Sequence, residues 1–267
     1  MSASKYAELA QTGSLKSHQI CLTFDDALLC QVDIAAPILK RYNLEAFFFV
    51  YSSAFTGQPD PLEIYRFFRT TQFEEFNEFF DEFLSVTTEH LGREIESAIR
   101  YFDSSDYLSE FSFYSEADRK FRFLRDTILS PKQYRTVMNN MMAHHLFDSR
   151  EAARKLFMSE SDLLDLRNGG HIIGLHSHSH PTTMQSLPIS AQRQEYTRNK
   201  KFIKRLTGEA AFSMSHPCGR YSSETLEVLT SLGVKVGFRS SRNPKTANST
   251  LEIPREDHSN ILAEALS

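Results

Sequence analysis

An α/β fold with parallel strands, interrupted by an all-helical insertion, is what the order of apolar segments predicts. Three observations carry it. Strand-like apolar runs alternate with helical periods at both ends of the chain, a middle stretch has helical period only, and carboxylates and histidines stand where strand-like runs end. With 267 residues, 40% hydrophobic and 24% charged, the chain can bury one full core, and its length allows one large domain or two small ones.

Residues 19–24 predict a first strand, and residues 32–42 a helix with Val32, Ala35, Ala36 and Leu39 on one face. The run Ala46-Phe47-Phe48-Phe49-Val50-Tyr51 is apolar without alternation, the pattern of a strand covered on both faces. After Gly57-Gln58-Pro59-Asp60-Pro61 the period changes. Phe73, Phe76, Phe80 and Phe83 recur at three and four, as do Tyr134, Met138, Met141 and Met142, so residues 61–157 read as several helices around their own aromatic core. The α/β rhythm then resumes. A short helix introduced by Ser159 carries Leu163, Leu164 and Leu166, and a strand follows over residues 171–175. A helix over 191–206 ends at Gly208, a strand covers 212–215, a helix 224–232 ends at Gly233, and a strand covers 234–239. The predicted division is 1–56 with 158–267 as the α/β domain and 57–157 as the insertion.

The chemistry-bearing residues lie at strand ends. His176, His178 and His180 follow one apolar run and precede Pro181, while Asp25 and Asp26 close another. Two histidines and a carboxylate hold a divalent ion with coordination positions left open, as catalytic rather than structural sites do. An extended strand would put all three histidines on one face, whereas a turn stacks His176 with His180 and sends His178 away; Pro181 favours the turn.

Thr23-Phe24-Asp25-Asp26 and His176-Ser177-His178-Ser179-His180-Pro181 resemble the first two motifs of the NodB-type polysaccharide deacetylases, carbohydrate esterase family 4. Ser215-His216-Pro217-Cys218-Gly219-Arg220-Tyr221 resembles the third. The resemblance covers residues 18–52 and 158–260 and implies a distorted (β/α) barrel with its chemistry at the carboxyl ends of the strands. It implies a metal-dependent amide hydrolase that removes an N-acyl group, typically acetyl, from an amino sugar. Asp26, His176 and His180 would hold one divalent ion, zinc first, with cobalt, nickel or manganese also suited to such a set. Asp25 would be the general base, and the backbone N–H of Cys218 the oxyanion donor. Arg255 is the candidate partner for Asp25, with Arg220 and Arg239 competing; His258 is the candidate general acid, with His216 the alternative. Pro217 and Tyr221 are candidates for substrate contact. The sequence departs from the family pattern at Ala27, where glycine is usual, and at Cys218, where an aromatic is usual. Two other readings keep most of the site: a hydrolase of a small non-sugar amide, and a catalytically weak relative that binds carbohydrate.

Net charge −4 and pI near 6.2 leave no basic footprint for nucleic acid. The first ten residues lack the charged start and apolar core of a signal peptide, no segment reaches a membrane span, and Cys21, Cys30 and Cys218 form no even framework. A cytoplasmic enzyme is expected. Its partner would then be an N-acylated amino sugar, free or linked to a nucleotide or lipid carrier. The insertion leaves after the second strand and returns before the one that delivers His176, so it is expected to cap the site.

Overall fold

Apolar runs that end in polar, chemistry-bearing residues become parallel strands. The computed structural model describes residues 1–108, 114–242 and 247–266; residues 109–113 of the expected helical stretch and 243–246 of the C-terminal part lie outside them. Five strands, β1 (Leu22–Asp25), β2 (Ala46–Val50), β3 (Ile172–Leu175), β4 (Ser213–Ser215) and β5 (Val236–Phe238), form one sheet in the order β1-β2-β3-β4-β5. Every pairing is parallel, so the carboxyl ends of all five lie on one rim.

The described helices are α1 (Ala3–Gln11), α2 (Ala36–Arg41), α3 (Pro61–Gln72), α4 (Phe76–Leu91), α5 (Glu94–Arg100) and α6 (Glu116–Phe123), then α7 (Pro131–His144), α8 (Ser149–Leu156), α9 (Glu160–Asn168), α10 (Ile189–Thr207), α11 (Ser223–Ser231) and α12 (His258–Leu266). The chain divides into two compact units, Met1–Asp60 with Lys155–Ser267, and Pro61–Arg154. In the second, Phe79 and Phe83 each pack edge to face with Phe121, with ring centroids 5.2 Å apart for Phe79–Phe121 and 4.9 Å for Phe83–Phe121. Met138 and Met141 are fully buried in the same unit.

All five residues of β2 are buried, and they separate two cores. Phe48 and Val50 face the helices, packing with Leu163, Leu166, Tyr196 and Ile203; Phe47 and Phe49 point into the concave side with Val236 and Phe238. In a flat sheet β2 and β5, three strands apart, would be about 14 Å from one another at the usual inter-strand spacing. Yet the Phe47 and Phe238 rings are 5.1 Å apart, so the sheet curls into a half-barrel. Helix α1 fills its interior with Ala3, Tyr6, Ala7 and Ala10. This is the distorted barrel expected from the sequence, with α1 an element that the apolar pattern did not announce.

Two boundaries differ from expectation for local reasons. The first strand starts at Leu22, not residue 19, because its register partner is Ala46, the first residue of β2, so residues 19–21 extend past the end of their only neighbour. The expected helix 32–42 opens as a wider π turn over Gln31–Ala35. Pro37 cannot donate to residue 33, which breaks the α ladder there.

The open side of the half-barrel is partly closed by the chain after β5. Ile253 pairs with Phe238, and the Gly237 N–H donates to the Thr250 carbonyl at 2.9 Å. A Cβ on Gly237 would stand 2.6 Å from the Leu251 carbonyl oxygen, so this approach requires glycine. The segment then delivers Arg255 to β1 at the opposite edge, where Nη1 donates to the Thr23 hydroxyl at 3.2 Å.

Gly174 in β3 is constrained in the same way, since a Cβ there would meet the Phe49 ring at 2.5 Å and the Ser213 hydroxyl at 2.7 Å. Gly174→Ala is therefore expected to destabilise the protein by about 1–3 kcal/mol, the usual cost of overpacking a close-packed interior. Urea unfolding checks it, and an unchanged midpoint would mean that β2 and β4 yield more easily than their burial implies.

Candidate metal centre

Asp25 is the last residue of β1, and Asp26 (φ 77°) and Ala27 (φ 58°) then turn the chain through two successive left-handed conformations. The Asp26 N–H donates to the Phe49 carbonyl at 3.1 Å, fixing this turn to the end of β2. A β-carbon makes such a conformation costly, which explains why glycine would suit position 27; Ala27 bears that cost and is fully buried. Left-handed non-glycine residues recur at Ser177, His180 and Cys218, all in the segments that leave β3 and β4. Backbone held this way is typical of sites whose geometry the surrounding fold imposes.

These turns bring Asp26, His176 and His180 together, with one donor atom from each lying within 4.8 Å of the others. Asp26 Oδ1 is 3.3 Å from His176 Nε2 and 3.3 Å from His180 Nε2. Bonds of about 2.0–2.1 Å in a tetrahedral shell place neighbouring donors about 3.3–3.4 Å apart, so both separations fit a shared ion. His176 Nδ1 lies 2.9 Å from the Ser215 carbonyl, which can only accept, so the proton sits on Nδ1 and the Nε2 lone pair faces the cluster. Burial alone would disfavour charge on His176, but Asp25 and Asp26 outweigh it and hold its pKa above the ordinary value. The carboxylates that favour a proton there equally favour a cation in its place.

His178 is turned elsewhere. Its Nδ1 bonds the buried Ser52 hydroxyl at 2.8 Å. The imidazoles of His176 and His180 lie 4.9 Å apart, as the turn reading expected, although the turn is an irregular loop with Ser177 at φ 65° rather than a helical one.

Arg255 grips Asp25 with both arms, Nη1 to Oδ1 at 2.9 Å and Nη2 to Oδ2 at 2.7 Å. Ser215 Oγ donates to Asp25 Oδ2 at 3.0 Å and accepts from Arg255 Nη2 at 2.9 Å. Burial would raise the Asp25 pKa, but the charge of Arg255, then that of His176 and the Arg255 hydrogen bonds, prevail and hold the carboxyl below the ordinary range. Of the three candidate arginines, Arg255 is the one the fold places on Asp25; Arg220 is exposed and Arg239 is buried.

The two candidate acids sit differently. His216 is fully buried, its Nε2 donating to the Leu251 carbonyl at 2.8 Å. Burial pushes its pKa down to about 4, assisted by the positive charges of His176, Arg255 and Arg239 against the opposing Leu251 hydrogen bond, so it is neutral at physiological pH. His258 begins α12 with its side chain 88% exposed and pairs with Asp257 at 3.3 Å; among the described residues no hydrogen bond or ion pair joins it to Asp25 or Asp26. Pro217, Cys218 and Gly219 form a tight turn after β4, with Cys218 exposed. The Tyr221 ring stacks on His216 at 4.1 Å and its hydroxyl donates to Glu252 at 3.0 Å.

Residues 137–237 match the family model described as polysaccharide deacetylase. The chain resembles that family in sequence and in fold. The matched segment takes in the second and third motifs and leaves Asp25 and Asp26 outside it. Among solved structures, IcaB from Ammonifex degensii aligns over 100% of this chain and 80% of its own at 14% identity, TM-score 0.56. The BpsB deacetylase domain from Bordetella bronchiseptica covers 96% and 77% at 16% identity, TM-score 0.53. The Streptococcus pyogenes deacetylase PplD in complex with acetate covers 98% and 77% at 14% identity, TM-score 0.51. At such identities these likenesses establish the half-barrel fold. No curated protein sequence matches the chain.

Asn199 lies outside every motif in the sequence, and Ser215, although it opens the third motif, is given no role by the sequence. Ser215 touches both halves of the site, its hydroxyl on Asp25 and its carbonyl on His176. Asn199, fully buried, accepts from the His176 N–H at 2.9 Å and donates to the Val50 carbonyl at 3.0 Å, tying β3 to β2 at the rim. A signal for it existed in Gln192, Tyr196, Asn199 and Ile203, where amides occupy helix positions spaced as core positions.

Proposed function

We propose that this protein is a metal-dependent hydrolase that removes an N-acyl group, acetyl foremost, from an amino sugar. The single observation that carries this reading is the meeting of three ion donors, Asp26, His176 and His180, with an Arg255-held carboxylate, Asp25. The family match and the deacetylase names of BpsB and PplD support the sugar amide as substrate class.

An ion held by Asp26, His176 and His180, zinc in the first instance, would supply Lewis acidity to the amide carbonyl and to the attacking water. Asp25 takes a proton from that water. Its low pKa weakens it as a base but keeps it ionised, and Arg255 fixes the direction of its lone pairs. The Cys218 main-chain N–H is assigned to the oxyanion, a role independent of the thiol. The expected acids serve this scheme poorly, since His216 is held neutral and His258 faces solvent, so the proton for the departing amine is assigned to Asp25 itself, returned after it has been taken from water. Pro217 and Tyr221 remain the proposed flank of the substrate.

A carrier-linked precursor and a cytoplasmic location belong to the same proposal. Three free thiols accord with a reducing compartment, and among the described residues no helix is long and apolar enough to cross a membrane. The proposed insertion domain, 57–157, and its role as a cap rest on its place in the sequence alone; efficient cleavage within long polymers would count against a cap.

The experiment is mass spectrometry of N-acetylated monosaccharides, nucleotide sugars and lipid-linked sugars after incubation with zinc-loaded protein. Loss of one acetyl group supports the proposal. Ion binding without acyl loss from any sugar contradicts it, and acyl loss confined to small non-sugar amides replaces the substrate class.

A further inference from the structure

The segment that carries the two histidines is shaped by contacts outside the donor set. Between β3 and Pro181 the chain passes through two left-handed non-glycine residues, Ser177 (φ 65°) and His180 (φ 53°). Backbone of this kind persists only where its surroundings over-determine it. On one side the residues after β2 hold it, since the Ser52 N–H donates to the Ser177 carbonyl at 3.3 Å and the Ser53 N–H to the His178 carbonyl at 2.8 Å. On the other side stands α10.

Glu195 on α10 is half-buried, and its hydrogen bonds go to this segment. Its Oε2 accepts from the His178 N–H at 2.9 Å and the Ser179 N–H at 2.7 Å, while Oε1 accepts from the Ser179 hydroxyl at 2.9 Å. One helical turn later Asn199 holds the His176 N–H. The i, i+4 pair thus spans the segment, one residue gripping its start and the other its apex. Carboxylate acceptors make the stronger kind of hydrogen bond, and here a single charged group satisfies two consecutive amides.

We propose that Glu195 is a positioning residue for the ion site: by pinning His178 and Ser179 it turns His178 away and brings His180 back to face His176 and Asp26. Its hydrogen bonds go to the His178 and Ser179 amides and the Ser179 hydroxyl, so it acts through the backbone. The inference rests on the proposed function, because it gives Glu195 a purpose only if His176 and His180 share an ion.

The test uses the full chain and zinc, with affinity read by competition against a chelating dye, and hydrogen exchange of the His178 and Ser179 amides read in the metal-free protein. Glu195→Ala is expected to weaken zinc binding by roughly 10–100-fold, as changes to groups that orient ligands commonly do, and to speed exchange at those two amides. Glu195→Gln, which keeps a carbonyl acceptor and loses the charge, should fall between Ala and the unsubstituted protein. Wild-type affinity in a folded Glu195→Ala protein would overturn the proposal. If Glu195→Ala does not fold, Glu195→Gln decides alone: weaker zinc binding with faster exchange supports the proposal, and unchanged values overturn it. Should the unsubstituted protein bind no zinc, the metal reading fails by itself. Exchange at His178 and Ser179 then still tells whether Glu195 shapes the segment.

Discussion

Replacing Asp25 with Asn is expected to lower turnover by about a hundredfold or more, the range in which general-base contributions fall, with ion content near that of the unsubstituted protein. The three proposed ligands are left intact, and Asn keeps the size of the side chain. What changes is charge. An amide cannot accept a proton from water at neutral pH, and its NH2 faces the Arg255 guanidinium where an oxygen stood. Leaving a buried ion with half a partner commonly costs about 3–5 kcal/mol of stability, less here because the Arg255 side chain that is left keeps 15% of its exposure. Turnover should therefore be compared below the melting temperature, with zinc content measured on the same sample. Full activity in a folded, loaded Asp25→Asn protein would remove Asp25 from the mechanism.

The second large effect belongs to the histidines. His176→Ala and His180→Ala should each lose zinc affinity by more than the roughly 10–100-fold typical of groups that only orient ligands, and activity should vanish with the ion. His178→Ala, by contrast, should bind zinc much as the unsubstituted protein does, because its imidazole is committed to Ser52. Equal losses at 176, 178 and 180 would show that the segment binds as an extended strand with all three rings on one face. Titration with zinc followed by separation of free from bound metal distinguishes the patterns.

Particular residues show how far the sequence carried the fold and the site. The β2 run was legible because both of its faces are buried, which leaves a continuous apolar stretch that no helix of that length would explain. Helix α1 was not. Its inward face is three alanines and Tyr6, a weak local pattern, and what buries it is Phe47, Phe49 and Phe238 from distant parts of the chain. The π turn at Gln31–Ala35 was hidden because apolar spacing sets a face but not the hydrogen-bond period, and only Pro37 hinted at the break.

The site divides in the same way. Asp25, Asp26, His176 and His180 stand where apolar runs end, which marks them as candidates, and the resemblance to the deacetylase motifs joins them into one site. Arg255 was the candidate partner with Arg220 and Arg239 competing, and the closing segment 250–255 places it on Asp25. Ser215, Asn199 and Glu195 bind through carbonyls, amides and hydroxyls of residues far off in sequence, and residue type alone does not announce such contacts.

Asp26, His176 and His180 are proposed to share one catalytic ion. Anomalous scattering from crystals grown with zinc, recorded on either side of the zinc absorption edge, tests it most directly. One strong peak is expected within about 2.0–2.2 Å of an Asp26 carboxylate oxygen, His176 Nε2 and His180 Nε2, with His178 outside the shell. A peak ligated by His178, one with Asp26 beyond bonding distance, or none between these residues at saturating zinc would contradict it.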